Sequence, residues 1–458
     1  MRRYDALVIG GGMAGLPLAL RAGRHGSVAL VERELLGGTC LNRGCIPTKT
    51  MIASAALAHQ ARRAADLGVT VGDVSVDLPM IVDRKDQVVE GIRGGSYRAI
   101  EQAERVDLHE GEGAFVQGRR FHVGDTTIEA DRVFLNVGTR PYVPPIDGLD
   151  RVDWLDSTRM LALKQLPDHL VVIGGGYVGC EFAQMFARYG ARVTIVQRDD
   201  RLLPAEEPEV SQAVLDGFVG DGIEVVLGTG CTAVDQADGG RIAVACAGDE
   251  SSELDASHLL VAAGRVPNTD RLHLQHLDLE PDERGFVPVD GQLHTGVEDV
   301  WALGDVRGGP MFTHTARHDA DVLYRSLYRS QHDRTIDGRT VPHGVFVDPE
   351  VGSVGLTEQQ ARDRGHEVGI GVQEFSGVAR ARATGETRGM IKFVVDAGTD
   401  RILGCHIAGP NGAELVHEAV IAMTADVPYR SVGGAIHIHP TLAEGVNSAA
   451  GGVHRPSA

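Results

Sequence analysis

The stretch YDALVIGGGMAGLPLAL, residues 4–20, joins a largely apolar run to a glycine-rich turn and a helical pattern. A short apolar run that ends at a tight turn is typical of a buried parallel strand. Residues 16–25 continue as a predicted helix. Residues 27–31 form a second predicted strand, which ends at Glu32. The sequence therefore predicts one β-α-β unit at its start.

The glycines of this turn favour a dinucleotide ligand. Gly10, Gly12 and Gly15 have the spacing G-x-G-x-x-G, and Glu32 follows 22 residues after Gly10. Gly10 permits the tight turn, Gly12 lets the backbone approach a pyrophosphate, and Gly15 lets helix and strand pack closely. The helix N-terminus faces the phosphate charge, while Glu32 can accept hydrogen bonds from a ribose.

The same arrangement returns 164 residues later. Residues 170–173 form a predicted strand, and Gly174, Gly176 and Gly179 repeat the glycine spacing. A helical stretch and a further apolar strand follow, as they do in the first unit. Two such units this far apart indicate two dinucleotide-binding domains rather than a short repeat array.

The second unit differs at the end of its second strand. Gln197 stands where Glu32 would correspond, and Arg198 and Arg201 follow it. A 2′-phosphate is attracted by cations and repelled by a carboxylate, so this pattern favours NADPH over NADH. The alternative is that both arginines are solvated loop charges.

Two close cysteines, Cys40 and Cys45, lie in GGTCLNRGCIPTK, residues 37–49. Five residues of a regular helix rise about 7.5 Å, whereas a disulfide rarely joins Cα atoms more than about 7 Å apart. A bond between them would need distorted backbone, which Asn42 and Gly44 suit, and a strained bond is readily reduced. Two free thiols or half of a metal site are the alternatives. The other cysteines are predicted to be small apolar core residues, namely Cys180, Cys231, Cys246 and Cys405.

Bulk composition excludes several classes of function. A chain of 458 residues predicts about three domains of ~150 residues. The net charge of −19 disfavours nucleic acid or an anionic membrane as partner. No apolar run reaches the ~18 residues that a membrane helix needs. The few scattered cysteines indicate a reducing compartment, so a cytoplasmic location is predicted.

Residues 37–49 resemble the signature of class I pyridine nucleotide-disulfide oxidoreductases, which are flavoprotein disulfide reductases. TGVEDVWALGD (residues 295–305), VAAGRVPN (residues 261–268) and AIHIHPTLAE (residues 435–444) resemble further motifs of that family. The resemblance covers nearly the whole chain. It extends to mercuric-reductase-like, mycothione-reductase-like and glutathione-reductase-like members.

The resemblance implies an α/β fold with two Rossmann-like dinucleotide-binding domains and a C-terminal α+β dimerisation domain. Residues 1–148 and 272–338 are expected to bind FAD, and residues 149–271 to bind NAD(P). Residues 339–458 are expected to form the dimer interface. In this family the C-terminal domain of one chain completes the active site of the other, so a homodimer with shared sites is expected.

The resemblance also implies a path for electrons, from NADPH through FAD to a Cys40–Cys45 disulfide and on to a small disulfide substrate. Cys45 would be the thiol nearest the flavin, and Cys40 the thiol that attacks substrate. His439 would be the base, with Glu444 as its orienting carboxylate. A histidine that titrates near neutral pH can take a proton from the attacking thiol and return it to the leaving one.

Further roles follow from the same resemblance. Lys49 and Glu181 match a buried pair near the reactive nitrogen of the flavin, and Tyr177 matches a side chain that covers the flavin until nicotinamide arrives. His437 is expected only to pack, and no metal site is expected. The expected cofactor-binding residues are Gly10, Gly12, Gly15, Glu32, Thr39, Gly138, Asp305, His314, Gly174, Gly176, Tyr177, Gly179, Arg198, Arg201 and Gly264. For His314 a structural role is an equal alternative.

Three functions stay open at this point. The first is an NADPH-dependent disulfide reductase. The second is a flavin-dependent reductase of metal ions, quinones or other small oxidants, as in mercuric reductase. Two features argue against mercuric reductase itself. His439 is present, and residues 454–458 contain no cysteine pair. The third is a non-catalytic redox sensor, which the intact cysteine and histidine set disfavours.

Overall fold

The computed structural model describes residues 1–248 and 251–454. Of residues 454–458, where the sequence has no cysteine pair, all but residue 454 lie outside the described residues. The chain divides into two compact units. The first comprises Met1–Thr50, Met80–Tyr142 and Gly264–Gly338. The second comprises Met51–Pro79, Val143–Ala263 and the chain from Arg339 onward.

The helices and strands are numbered in chain order. Up to Tyr142 they are β1 (Arg2–Ile9), α1 (Gly15–Ala22), β2 (Val28–Glu32), α2 (Gly38–Arg43), α3 (Cys45–Arg62), α4 (Leu78–Glu101), β3 (Val106–Glu110), β4 (Gly113–Gln117), β5 (Arg120–Val123), β6 (Thr126–Leu135) and β7 (Thr139–Pro141). From Val143 to Ala263 they are α5 (Ser157–Met160), β8 (His169–Ile173), α6 (Tyr177–Tyr189), β9 (Arg192–Val196), α7 (Pro208–Gly220), β10 (Glu224–Val226), β11 (Gly230–Gln236), β12 (Ile242–Ala247), β13 (Ser251–Ala256) and β14 (His258–Val261). Beyond these lie β15 (Arg265–Pro267), β16 (Val300–Ala302), α8 (Thr313–Tyr328), β17 (Pro342–Val345), β18 (Val351–Gly355), α9 (Glu358–Asp363), β19 (Val368–Glu374), α10 (Ala379–Thr384), β20 (Met390–Asp396), β21 (Ile402–Ala408), α11 (Gly412–Leu415), α12 (His417–Thr424), α13 (Tyr429–Gly433) and α14 (Ala443–Gly451).

The first unit is built on one sheet with the strand order β3-β2-β1-β6-β5-β4, and β16 pairs with β6. β1 runs parallel to β2, because the helical crossover α1 returns the chain in the same direction, and it also runs parallel to β6. Helices α1 and α8 contribute Leu18 and Leu323 to a buried core beneath this sheet. The indole of Trp301 stacks on Phe134 in the same core, with ring centroids 5.3 Å apart. The predicted first β-α-β unit is therefore present.

One long element of the first half was not predicted. Helix α4 has 24 residues, and Gly94 and Gly95 lie inside it. Two adjacent glycines are unfavourable in a helix interior. Local sequence therefore did not indicate a helix at this place.

The second unit contains three sheets. A parallel sheet of order β10-β9-β8-β14 carries the second β-α-β unit, and β11, β12 and β13 form an antiparallel meander. The C-terminal sheet is antiparallel, with the order β17-β18-β21-β20-β19. The helical stretch that follows this sheet is interrupted, because α11 and α12 are separate. Val416 between them has φ −58° and ψ −21°, values typical of a 3₁₀ turn.

A buried lysine in this unit binds three carboxylates. Lys392 on β20 is 2% exposed, and its Nζ lies 3.1 Å from Glu207, 2.8 Å from Glu209 and 2.9 Å from Glu358. Burial lowers the pKa of Lys392, but the carboxylates outweigh burial and raise it above its ordinary value. Glu207 is itself only 1% exposed, and its Oε2 lies 3.1 Å from Lys392 Nζ.

Replacing Lys392 with methionine is expected to destabilise the fold by about 3–5 kcal/mol, because buried charge is left without a partner. Thermal unfolding measures the loss. The matched control is Arg401→Met, which breaks the exposed Arg401–Asp426 pair and should cost less than about 1 kcal/mol. Equal unfolding temperatures for the two variants would contradict a stabilising role for the buried cluster.

Among the described residues, none of the helices combines the length and the apolar character that a bilayer crossing requires.

Candidate active site

Cys40 and Cys45 lie on either side of a break between two helices. Helix α2 ends at Arg43, Gly44 has φ −139° and ψ −115°, and α3 begins at Cys45. A Cβ atom on Gly44 would lie 3.0 Å from the carbonyl oxygen of Thr39, which is tighter than most such contacts. The distorted backbone expected between the two cysteines is therefore present, and glycine suits it.

The two sulfurs are reduced and electrostatically unequal. Cys45 is exposed and Cys40 is half-buried. A hydrogen bond to Cys45, reinforced by burial, raises the pKa of Cys40 well above its ordinary value. Cys40 therefore keeps its proton at neutral pH. The hydroxyl oxygen of Thr313 lies 3.6 Å from the Cys45 sulfur, a contact that sequence reasoning missed because the residues are 268 positions apart.

The first glycine turn is held by two distant side chains. Asn136 Nδ2 donates to the carbonyl of Gly10 at 2.9 Å, and Glu32 Oε2 accepts from the Gly11 amide at 2.8 Å. Gly10 has φ +104°, and a Cβ on Gly15 would lie 2.0 Å from the Gly10 oxygen. Burial raises the pKa of Glu32. Only glycine therefore fits Gly10 and Gly15, as the motif predicts.

The same turn leaves room for a ligand. A Cβ added to Gly12 would meet no atom closer than 3.4 Å, and the nearest is the amide nitrogen of Asn136. The Cβ position of Gly138, which has φ +64°, faces open space. Thr39 is exposed in the first turn of α2. These features fit a dinucleotide whose pyrophosphate lies along the turn.

The second turn repeats the first with one substitution. Gln197 Oε1 accepts from the Gly175 amide at 2.8 Å, the contact that Glu32 makes in the first turn. Gly174 has φ +108°, and a Cβ on Gly179 would lie 1.9 Å from the Gly174 oxygen. A Cβ on Gly176 would meet nothing within 4 Å. The second turn is therefore equally suited to a dinucleotide, with a neutral amide in place of the acid.

The surroundings of Gln197 include both charge signs. Its Nε2 donates to Asp199 at 2.7 Å. Arg198 is exposed, whereas Arg201 is half-buried and its guanidinium lies 3.4 Å from the carbonyl oxygen of Pro204. Of the two predicted cations, Arg198 is thus the more accessible to a phosphate.

Tyr177, at the start of α6, is held by a buried carboxylate. Its hydroxyl donates to Glu206 Oε1 at 2.7 Å, and its ring stacks on His343 with centroids 5.5 Å apart. Glu206 also contacts His343 Nε2 and the Ser353 hydroxyl, each at 2.6 Å. Burial raises the pKa of Glu206, but these three hydrogen bonds outweigh it and lower the pKa to about 2. Glu206 is therefore ionised at neutral pH.

Lys49 and Glu181 belong to different units of the fold. Lys49 is half-buried on α3, one turn after Cys45. Glu181 is 7% exposed on α6, and its Oε1 accepts from the Phe346 amide at 3.1 Å. Their pairing stays a prediction.

Asp305 is fixed by partners that sequence reasoning missed. The Thr139 hydroxyl lies 3.3 Å from Asp305 Oδ2, and Arg265 Nε donates to the same hydroxyl at 2.7 Å. Burial raises the pKa of Asp305, opposed by the charge of Arg265. Gly264, which has φ +124°, precedes this arginine and faces open space. Asp305 is thus oriented within the first unit.

His314 is the second residue of α8. Its ring stacks on Phe312 with centroids 5.4 Å apart and planes 9° from parallel. Thr313, which contacts Cys45, lies between these two residues. The start of α8 therefore approaches the cysteine pair.

His439 and Glu444 form a dyad after β21. Glu444 Oε1 lies 2.9 Å from His439 Nδ1, and Oε2 accepts from the Thr441 amide at 2.9 Å. The Thr441 amide and then His439 lower the pKa of Glu444. With Nδ1 engaged, Nε2 of His439 is the nitrogen left to exchange a proton. The imidazole is 71% exposed in this chain.

The segment before this histidine has its own polar contacts. His437 Nε2 lies 3.0 Å from Glu418 Oε2, and its Nδ1 lies 3.1 Å from the Ala435 carbonyl oxygen. Burial lowers the pKa of His437, but Glu418 outweighs burial and raises it. These contacts hold His437 in place, and its expected structural role stays a prediction. Asn447 Nδ2 donates to the Ala435 carbonyl at 3.1 Å, a contact that no sequence motif indicated.

Within the described ranges, no group of three or more histidine, cysteine or acidic side chains is placed to hold a metal ion.

Comparison with known families covers almost the whole chain. The sequence model of the family described as pyridine nucleotide-disulphide oxidoreductase matches residues 4–320. The model of its dimerisation domain matches residues 341–450. The chain belongs to this family. It is an NAD(P)H-dependent flavoprotein oxidoreductase that uses FAD and a pyridine nucleotide, and the dimerisation domain supports a homodimer. The predicted family, fold class and enzyme class are confirmed.

Several named relatives are similar over most of their length. The chain is 37% identical to dihydrolipoyl dehydrogenase of Halobacterium salinarum, over 97% of this chain and 95% of that protein. It is 33% identical to mercuric reductase of Lysinibacillus sphaericus, over 98% of this chain and 82% of that protein. The solved structure of HOCl-induced flavoprotein disulfide reductase RclA from Escherichia coli matches with a TM-score of 0.88 and 32% sequence identity. The match covers 98% of this chain and 99% of the solved one. These names span several substrates, so the family alone does not define this one.

Proposed function

We propose that this chain is an NADPH-dependent disulfide reductase in which Cys40 and Cys45 are the redox pair. The observation that carries the proposal is the helix break at Gly44, which places Cys40 at one side of the distorted residue and Cys45 at the other. The pKa of Cys40 responds to Cys45, which fits two thiols that alternate between a dithiol and a disulfide. Cys45 is also exposed, as a redox-active cysteine must be.

FAD, when bound, accepts a hydride from the nicotinamide and supplies two electrons to the disulfide. We assign its site to Gly10, Gly12, Gly15, Glu32, Thr39, Gly138, Asp305 and His314. We assign the nicotinamide dinucleotide to Gly174, Gly176, Tyr177, Gly179, Arg198, Arg201 and Gly264. Residues 1–148 with 272–338 are then the FAD domain, 149–271 the NADPH domain and 339–458 the interface domain.

Proton movement follows from the electrostatics of the cysteine pair. Because the pKa of Cys40 is raised, this thiol stays protonated at neutral pH unless a base removes the proton. We assign that base to His439 Nε2, supplied by the second chain of the dimer, with Glu444 fixing the ring through Nδ1. The Cys40 thiolate attacks the substrate disulfide, and His439 returns the proton to the leaving thiolate. Lys49 and Glu181 are assigned to the flavin side of the pair.

The preference for NADPH is supported by two side chains of the second turn. Gln197 occupies the position of an acid and so removes a charge that would repel a 2′-phosphate. Arg198 is exposed next to it and can bind that phosphate.

Replacing Arg198 with alanine is expected to lower kcat/KM for NADPH by roughly 10–100-fold, the value of a hydrogen bond to a charged group. The value for NADH should change little, because NADH lacks the phosphate. Initial rates with each nucleotide measure this, and Arg192→Ala is the matched control, since Arg192 pairs with Glu224. An equal loss of kcat/KM with both nucleotides, or a preference of the wild-type enzyme for NADH, would contradict the assignment of Arg198 to the 2′-phosphate.

A second candidate is a reductase of metal ions, quinones or other small oxidants. The observation that favours it is a solved Cu(II) complex of the RclA protein, which matches this chain with 32% identity over 98% of its length. Cys45 is exposed and could meet a small oxidant directly. NADPH oxidation measured with low-molecular-weight disulfides, lipoamide, quinones and Cu(II) or Hg(II) salts separates the candidates. The disulfide proposal requires a disulfide to be the best substrate, and fails if only metal salts or quinones turn over.

A further inference from the structure

Cys231 and Cys246 stand directly opposite each other on neighbouring antiparallel strands. Cys231 lies on β11 and Cys246 on β12, and the register pairs the two residues. Opposed residues of antiparallel strands have Cα atoms about 4.5 or 5.5 Å apart, depending on their place in the hydrogen-bond ladder. A disulfide needs Cα atoms about 4.4–6.8 Å apart. Either Cα separation lies in this range, and a bond needs only that the two Cβ atoms approach from the usual cross-strand distance of about 4.5–5.5 Å to about 3.5–4.5 Å.

The two side chains also share one face of the meander. Directly opposed residues point to the same side of a sheet. Cys246 belongs to a buried apolar core, and the half-buried Cys231 packs against that same core. Burial and then the neighbouring Cys246 raise the pKa of Cys231 to about 12, so the two sulfurs are close enough to interact.

We propose that Cys231 and Cys246 are a second redox pair, which closes to a disulfide when a low-molecular-weight disulfide, RSSR, oxidises it. Cys231 is the more accessible, so its thiolate attacks one sulfur of RSSR, whose S–S bond breaks and releases RS⁻. Cys246 then attacks the Cys231 sulfur of the mixed disulfide and expels the second RS⁻. The two thiol protons end on two RSH molecules, and RSSR gains the two electrons that the pair loses.

The environment of the pair sets both its rate and its stability. Because thiolate is the attacking form, raised pKa values make closure slow at neutral pH and faster in mild alkali. A dithiol that is not stabilised as thiolate is a stronger reductant, so the closed bond resists reduction. These properties differ from those of an exposed pair that must open and close at each turnover. The second pair does not depend on the proposed catalytic roles.

The test uses the full-length holoenzyme with Cys40→Ser and Cys45→Ser, so that four of the six cysteines remain. The reduced protein is incubated with oxidised glutathione in mild alkali, and thiols are counted after denaturation. We expect four thiols to fall to two, and peptide mapping to find one cross-link, between positions 231 and 246. Four remaining thiols, or a cross-link involving Cys180 or Cys405, would overturn the proposal.

Two further variants in the same background keep the result interpretable. Cys246→Ala should stop at a stable glutathione adduct on Cys231, because the resolving thiol is gone. Cys405→Ala removes a buried cysteine of the C-terminal sheet and should leave closure unchanged. Circular dichroism verifies that each variant is folded. A stable adduct on Cys231 while Cys246 is intact would also contradict the pair.

Discussion

Cys45→Ser is expected to lower NADPH-driven disulfide turnover by roughly 10³-fold or more, as removal of an essential covalent group does in other enzymes. A lone Cys40 can attack substrate once, but it cannot then form an internal disulfide that accepts two electrons. Cys40→Ser should lose turnover equally, because no thiol then attacks the substrate. Stopped-flow reduction of the flavin by NADPH should persist in both variants, since it precedes the cysteine step.

The matched control for these cysteines is Cys405→Ala, a buried cysteine of the C-terminal core. It should retain turnover within about twofold, because it removes only a small apolar group. The two active-site variants should also differ in their flavin spectra. If Cys45 is the thiol nearest the flavin, as the family resemblance implies, Cys40→Ser should gain long-wavelength absorbance, whereas Cys45→Ser should not. Undiminished disulfide turnover in either variant would remove the pair from the mechanism.

His439→Asn is the second change with a large expected effect. Loss of a general base typically costs 10²–10⁴-fold, so disulfide turnover at neutral pH should fall by about that factor. Because Cys40 keeps its proton without a base, the loss should shrink as the pH rises. Glu444→Gln should cause a smaller loss, since it weakens the hold on Nδ1 without removing Nε2. Steady-state rates across a pH series measure both effects.

The matched control is His366→Asn, another partly exposed histidine that pairs with an acid, Asp396, at 2.7 Å. Its turnover and pH profile should equal those of the wild type. Quinone or metal-ion reduction by His439→Asn should largely survive, because those oxidants need no proton at a leaving thiolate. Should disulfide turnover stay at the wild-type rate in His439→Asn, the assigned base is incorrect.

Local signals in the sequence were sufficient for the nucleotide turns. The further apolar strand predicted after the second glycine turn is present as β9, Arg192–Val196, because its apolar run is marked in the sequence itself. The positive φ of Gly10 and Gly174 follows from the glycine spacing alone. The meander β11-β12-β13 was not predicted, since its short strands carry no motif.

Contacts between distant residues could not be read from local patterns. Thr313 beside Cys45 and Asn447 on the Ala435 carbonyl depend on tertiary packing. Gln197 was predicted from its position to replace Glu32, yet its bond to the Gly175 amide was visible only in the folded turn. Such side-chain contacts, which join residues from 12 to 268 positions apart, are set by the whole fold rather than by a local pattern.

The most direct measurement is the fate of the first two electrons. The oxidised holoenzyme is titrated without oxygen with one equivalent of NADPH per subunit, then denatured and alkylated for peptide mapping. We expect alkylation at both Cys40 and Cys45 in the reduced sample and at neither in the oxidised one, with Cys405 labelled in both. If Cys40 and Cys45 stay unlabelled after the addition of two electrons, these cysteines do not carry the electrons from the flavin.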